Sequence, residues 1–366
     1  MAQTIEKIYG DAIASGLFPG VSLIAGDRDG NILYSKSFGK ASLKEGTNRP
    51  FTDSTVASIA SMTKLMTSIA VLQCVEDGTL NLDADIKPLL PEIGKYGIIT
   101  GFDDAKNSAI FAENTTPITL RMLLSHTSGH EYDRSNPLLT KWRLSRGKTV
   151  EAATKSTLDE FMRRRIWTPL GIENEASFFP KTRENLKDRL ADMSMLKENK
   201  PPAAHISDFD ILGGAKDCFG GAGVYTSAKA YYAFLSAVLR RDPKLLTPAS
   251  YEELFRPQLD ERCEQGLNDQ IYSHPLKTQY LGMQIPASVR KTWSFAGLVA
   301  KEGQEGRFAP GTTLWGGYPS CEWFIDHEAG ICGVAVCQIL PPMQPDVMAL
   351  HEKFQKAVFS KAKAKI

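Results

Sequence analysis

Ser58-Ile-Ala-Ser61-Met-Thr-Lys64-Leu-Met-Thr67 opens a run in which Met62, Leu65, Met66, Ile69, Ala70, Val71, Leu72, Cys74 and Val75 cover most of a helix's circumference. A helix apolar on nearly every face belongs at the centre of a domain. Ser61 and Lys64 stand three apart in its first turn, so they share a face, with Cβ atoms about 5–6 Å apart. A lysine entering a buried helix is costly as an ammonium, so desolvation lowers its pKa, and the positive end of the helix dipole acts in the same direction. A neutral lysine accepts the serine proton and turns the hydroxyl into a nucleophile. The N-terminal amides of the same helix face a developing oxyanion. The competing reading is a capping serine beside a lysine whose stem snorkels outward.

The Ser-x-x-Lys spacing alone decides nothing. It recurs at Ser37/Lys40, Ser145/Lys148, Ser194/Lys197, Ser288/Lys291 and Ser360/Lys363, where a polar surface pair is the expected reading. Only Ser61 opens an all-apolar helix.

Outward from this helix, strands are expected at both chain ends. The apolar spacing of Ile5, Ile8, Tyr9, Ala12 and Ile13 predicts a helix over 3–15, ending at Gly16. Residues 21–25 and 32–38 read as strands joined by the turn Asp27-Arg28-Asp29-Gly30-Asn31, and 294–300, 312–314, 321–325 and 331–339 read as further strands. Residues 345–361 form an amphipathic helix with Val347, Leu350, His351, Phe354 and Val358 on one stripe and Asp346 as its expected N-cap. The middle, about 50–260, reads as mostly helical, and 197–204 as a surface loop. The economical arrangement is α/β (α+β): an antiparallel sheet built from 1–55 and 290–366, flanked by helices, with a mainly helical subdomain at 56–289 carrying the Ser61 helix.

Composition narrows the function classes. The chain has 366 residues, with 43 Lys+Arg against 42 Asp+Glu and a formal charge of +1, so nothing draws it as a whole to nucleic acid or an anionic membrane. At 42% hydrophobic and 23% charged it is ordinary for a globular protein. The first residues lack an apolar signal core, and the greasiest stretch, 65–75, is interrupted by Thr67, Ser68 and Gln73. Cysteines 74, 218, 263, 321, 332 and 337 include no C-x-x-C pair and are expected to be reduced core residues rather than a zinc site. A cytoplasmic protein without metal or cofactor is the expectation.

Several motifs in one order carry a resemblance. Ser58–Thr67, Gly101-Phe-Asp-Asp104, Thr119-Leu-Arg-Met-Leu-Leu-Ser-His-Thr-Ser-Gly129, Pro169-Leu-Gly-Ile172, Cys218-Phe-Gly-Gly-Ala-Gly-Val-Tyr225, Leu314-Trp-Gly-Gly317 and Trp323-Phe-Ile-Asp326 resemble class C β-lactamases and family VIII carboxylesterases. They are more closely similar to fungal acyltransferases that esterify polyketide alcohols, of the lovastatin side-chain transferase type. The resemblance runs from about residue 5 to 360 and implies a β-lactamase/transpeptidase-like fold. It makes Ser61 the acylated nucleophile and Lys64 its proton partner. Trp315-Gly316-Gly317 falls where β-lactamases keep Lys-Thr-Gly, and the Tyr318 N–H would complete the oxyanion hole with that of Ser61. Trp315 removes the cation that holds a β-lactam carboxylate, which places the chain with the esterase and acyltransferase branch. The implied partners are a small acyl donor and an alcohol acceptor, with an acyl-carrier domain as one way of presenting the donor. Arg163-Arg164-Arg165 reads as a solvated helix face, and docking of an acidic carrier there is the lesser reading. His126-Thr-Ser-Gly129 reads as a helix end capped by Gly129, and Gly220, Gly221 and Gly223 as residues that allow close backbone packing.

One family element is missing. The Y-x-N or Y-x-G tyrosine expected on a loop roughly a hundred residues after the serine has no Y-x-N or S-x-N counterpart here. The stretch from His126 to Pro169 is short by about fifty residues relative to the family, the gap falling after Val150. Tyr132, the only tyrosine between Ser128 and Trp167, is the candidate substitute and otherwise an ordinary loop aromatic. Three readings stay open: a shortened or repurposed enzyme, substitution by Tyr132, or a sequence lacking one segment. The alternative function is a binding protein on the same fold, catalytically impaired by the loss of the tyrosine.

Overall fold

Turn chemistry at residues 27–31 and 318–320, together with long apolar strands, builds the sheet that organises the chain. The structure, a computed structural model, describes residues 2–93, 95–131, 136–145, 157–207, 209–211 and 217–364. Tyr132 and the break after Val150 lie outside them. The chain packs as two compact units, residues 1–72 with 154–366, and residues 73–153.

In the larger unit α1 (Ala2–Ala14) leads into β1 (Gly20–Asp27) and β2 (Ile32–Gly39), a hairpin closed by Asp27, whose carboxylate accepts from the Asp29 and Asn31 amides. A short strand, β3 (Val56–Ser58), precedes a single 3₁₀ turn (Ala60–Met62) and α2 (Thr63–Glu76). The smaller unit contributes the hairpin β4 (Ile98–Asp103) and β5 (Ser108–Ala112), then α3 (Leu120–Leu124) and α4 (Pro137–Ser145). Trp142 of α4 meets Tyr96 and Phe111 edge-on at 5.1 and 5.6 Å, which covers one face of that hairpin. Thr119 N-caps α3, its hydroxyl accepting from the Met122 amide at 3.2 Å.

The chain then forms α5 (Leu158–Met162), β6 (Ala176–Ser177), α6 (Glu184–Lys187), β7 (Ser194–Lys197), β8 (Lys200–His205) and β9 (Tyr225–Ser227). Helices α7 (Ala228–Leu239), α8 (Pro248–Phe255), α9 (Glu261–Tyr272) and α10 (Pro275–Leu281) follow. The C-terminal part supplies β10 (Lys291–Trp293), β11 (Leu298–Ala300), β12 (Thr313–Gly317), β13 (Cys321–Asp326), β14 (Ile331–Cys337), β15 (Ile339–Leu340) and α11 (Pro345–Lys363).

Seven strands pair antiparallel in the order β10-β11-β12-β13-β14-β1-β2. The first strands of the chain thus dock beside the last, as the sequence implied. Val21, Leu23 and Ala25 of β1 point into the core shared with α1 and α11, including Tyr9, Phe354 and Val358. On the other face α7 approaches so closely that a Cβ on Gly26 would collide with the Tyr232 hydroxyl. Covered on both faces, β1 and β14 read as near-continuous apolar runs rather than alternating ones.

Several local expectations are corrected. Residues 294–300 are not one strand: Ser294 to Gly297 is the turn between β10 and β11, with the Ser294 N–H donating to Gly297 O at 3.0 Å. Residues 197–204 are the β7–β8 hairpin, turning through Glu198 and Asn199 at φ +53° and +60°. The middle therefore carries strands as well as helices. The N-cap of α11 is Gln344, whose side chain accepts from the Val347 amide at 2.9 Å, while Asp346 sits in the first turn. After α3 the C-cap is Ser125 and the first left-handed residue is His126 at φ +59°; Gly129, also left-handed at φ +76°, lies three residues further on and does not cap the helix. Arg163 is no solvated residue, since it donates to Asp159 Oδ2 (2.8 Å) and Glu173 O (2.5 Å) and covers the Trp167 ring. Only Arg164 of the three arginines is exposed. Ser194 and Lys291, assigned to surface Ser-x-x-Lys pairs, are fully buried. Lys291 Nζ donates to Tyr272 Oη and to the carbonyls of Pro286 (2.7 Å) and Val289 (2.6 Å), which satisfies a cation taken out of water. Cys321, Cys332 and Cys337 are buried, whereas Cys263 is exposed.

Candidate active site

Ser61 does not begin the α-helix. It sits in the 3₁₀ turn before it, and Ala60 enters that turn with φ +43°, a conformation rare for a residue with a Cβ. Such strain persists only where surrounding contacts hold it, and they are present on every side. Ile59 N–H donates to Val224 O at 3.2 Å, and Tyr231 Oη donates to Met62 O at 2.9 Å. The Val224 N–H donates to Thr63 Oγ1 at 3.1 Å, and Thr67 Oγ1 donates to Gly220 O at 2.6 Å. The 218–224 loop and the start of α2 are thereby tied together.

Lys64 occupies the first turn of α2 and reaches back. Its Nζ lies 3.0 Å from Ser61 Oγ and 2.7 Å from Gly221 O. Burial holds its pKa down at about 8, from an ordinary 10.5. Among the described residues no carboxylate counters that lowering.

The glycines of the loop are explained by approach. A Cβ on Gly223 would lie 2.7 Å from Phe178 Cδ1 and 2.9 Å from Phe219 O, and one on Gly221 would lie 3.7 Å from Lys64 Nζ. The close packing expected of these glycines is observed at Gly223 and at Gly220, whose added Cβ would lie 3.0 Å from Leu158 Cδ2; Gly221 is in ordinary contact, and its carbonyl accepts from Lys64 Nζ.

The end of β12 closes the other side. A Cβ on Gly317 would run into the Ile59 carbonyl, so this strand end lies directly against the turn that carries Ser61. Gly316 faces the opposite way, 2.6 Å from Met343 Cε at its absent Cβ. Trp315 is half-buried, stands edge-on against Trp293 at 4.8 Å, and has an indole N–H with no hydrogen-bond partner among the described residues. Tyr318 follows the strand and is 44% exposed, so its ring is not packed into the core. The structure therefore gathers Ser61, Lys64, Gly317 and the start of Tyr318, whereas Tyr132 is outside the described residues. Gly317→Ala is expected to cost about 1–3 kcal/mol of unfolding free energy, because backbone rather than a flexible side chain stands in the way. A denaturant titration showing no loss would refute the close approach.

The sequence profile of the family "Beta-lactamase" matches residues 5–144 and 146–357. The chain belongs to the beta-lactamase family. It is similar to a lovastatin esterase of Penicillium rubens, 31% identical over 400 positions that span 98% of this chain and 99% of the relative. A monacolin J acid methylbutanoyltransferase of Aspergillus terreus is 30% identical over 396 positions, 97% of this chain and 95% of the relative. Among solved structures, a mutant simvastatin synthase from Aspergillus terreus superposes with a TM-score of 0.91 at 28% identity, covering 99% and 97% of the two chains. A hydrolase with promiscuous acyltransferase activity superposes with a TM-score of 0.72 at 18% identity, which speaks to fold alone. Since 98% of 366 residues fill 400 aligned positions with the esterase, about forty positions have no residue of this family member opposite them.

Sequence reasoning missed the residues that hold the dyad rather than those in it. Thr67 reads only as an interruption of an apolar run, and Thr63, four residues before it, is given no role. Gln338, whose side chain grips the backbone of Ser58, lies 277 positions beyond Ser61 and has no local signature.

Proposed function

We propose that this protein is a serine acyltransferase or esterase working through an acyl-Ser61 intermediate. The observation that carries the reading is the Lys64 Nζ, poised 3.0 Å from Ser61 Oγ with a pKa of about 8. In its neutral form Lys64 takes the serine proton while Oγ attacks the carbonyl carbon of a thioester or ester. The tetrahedral oxyanion is held by the N–H groups of Ser61 and Tyr318. Collapse breaks the bond to the leaving group, which departs with the proton from Lys64 and leaves an ester on Ser61. An alcohol, or water, then attacks that ester and is deprotonated by the same amine; the bond from the acyl carbon to Ser61 Oγ breaks, Lys64 returns the proton to Oγ, and the new ester or acid is released. The relatives' transfer and esterase activities support a short acyl donor and a polyketide alcohol in secondary metabolism. The donor is presented as a small thioester or on an acyl-carrier domain, and the setting is the cytoplasm.

The Y-x-N tyrosine is absent, and a missing acid/base group typically slows a step by about 10²–10⁴-fold. Deacylation then lags, and acyl enzyme accumulates. Intact-mass measurement after mixing with an acyl-N-acetylcysteamine thioester is expected to show the protein plus one acyl group, on Ser61. Tyr132→Phe tests the substitute: unchanged turnover removes Tyr132 from the mechanism. The second reading, a binding protein with the cleft retained, is favoured by the unmatched positions in the alignment. It predicts stabilisation by the thioester with no adduct, and no dependence of binding on Ser61→Ala.

A further inference from the structure

We propose that Gln338 is a positioning residue that keeps the Ser61 amide available for the oxyanion; this rests on the acyl-serine reading above. Gln338 is 2% exposed and stands between β14 and β15. Its carboxamide grips both backbone groups of Ser58. Oε1 accepts from the Ser58 N–H at 3.2 Å, and Nε2 donates to Ser58 O at 2.9 Å and to Cys337 O at 2.6 Å. The last bond fixes the carboxamide to β14.

The Ser58 carbonyl is the group that matters. In a 3₁₀ turn each N–H seeks the carbonyl three residues before it, and for Ser61 that carbonyl is Ser58 O. Here the turn's bonds begin one residue later, with Met62 N–H to Ile59 O at 3.1 Å, followed by the Thr63 N–H to Ala60 O. Gln338 Nε2 takes the Ser58 carbonyl, and the left-handed Ala60 turns the chain away from it. The Ser61 N–H is thereby kept out of the helix ladder. Without the carboxamide, the Ser58 carbonyl is a buried acceptor seeking a donor, and the Ser61 amide is the one that a regular turn would offer.

The test compares Gln338→Met, which keeps the shape without polar atoms, with Gln338→Glu, which keeps an acceptor but, once ionised, has no donor. Asn268→Ala is the control. Asn268 grips the backbone of Lys291 in the same two-handed way, its Oδ1 accepting from the N–H at 3.0 Å and its Nδ2 donating to the carbonyl at 2.7 Å. Each variant is melted and titrated with a fluorophosphonate, and p-nitrophenyl butyrate hydrolysis gives kcat and KM. Removing one oxyanion donor costs about 10²–10³-fold in kcat. Both Gln338 variants are expected to lose at least 10-fold in kcat and labelling rate, with KM within a factor of two. Asn268→Ala is expected to lose melting temperature but to label at the wild-type rate. Wild-type kinetics in either folded Gln338 variant, or equal slowing in Asn268→Ala, overturns the proposal. A wild-type chain that never labels instead overturns the acyl-serine reading on which it stands.

Discussion

Ser61→Ala is expected to take up no fluorophosphonate at any pH, and Lys64→Met to label more slowly than the wild-type chain by about 10²–10⁴-fold, the range for loss of a positioned proton acceptor. Both outcomes depend on one equilibrium. Only the neutral amine accepts the Ser61 proton, and burial sets that equilibrium at about pH 8. Below it the ammonium predominates and the rate falls about tenfold per unit of pH; above it the rate levels off. Lys64→Arg is no rescue, since a guanidinium stays protonated throughout this range. It is expected to be as slow as Lys64→Met and to lose the pH dependence. A wild-type rate that is flat from pH 6 to 9, or a Lys64→Met variant that labels normally, would falsify the dyad.

The 3.0 Å approach of Lys64 to Ser61 was legible because the two stand three residues apart and the apolar run around them announced burial, although Ser61 lies in the 3₁₀ turn before α2 rather than in the helix itself. The main sheet was legible for a similar reason: β1, β2, β13 and β14 carry their own apolar runs and turn residues. Misreadings fell where local pattern and tertiary role diverge. Phe295 and Ala296 are 2% and 3% exposed although they form a turn, so their apolar character imitated a strand. The α11 cap was misplaced by two residues, although Pro345 at the first helical position points to the residue before it. Lys291 was assigned to the surface on residue type, and only the converging carbonyls from 286 and 289 show how the core accommodates it. Gln338 illustrates the remaining limit, because its effect on Ser61 depends on a contact that no sequence spacing encodes.

Behind the same strands a buried carboxyl makes stability depend on pH. Glu322 of β13 is 3% exposed, pairs across the ladder with Gly316 and Ala335, and has an Oε2 with no hydrogen-bond partner among the described residues. The nearby Arg307 guanidinium is committed elsewhere, to Gln355 Oε1 at 2.6 Å and to the carbonyls of Gln284 and Met283 at 2.6 and 3.2 Å. Burial pushes the Glu322 pKa up from 4.5 to about 7; Arg307 opposes this and Glu352 adds to it. Below the lower value both folded and unfolded chains hold the proton, and the group contributes nothing. Between about 4.5 and 7 the unfolded chain releases the proton while the folded one keeps it, so stability falls as pH rises. Above pH 7 the loss is complete. Each tenfold change in a proton equilibrium is worth about 1.4 kcal/mol, so the loss amounts to about 3 kcal/mol. Glu322→Gln carries no charge to desolvate. Its stability relative to wild type is expected to improve by about 2.5 kcal/mol between pH 5 and pH 8. Urea titrations of both proteins at the two pH values measure this. Parallel pH dependence in wild type and variant would show that Glu322 finds its charge compensated in the folded chain.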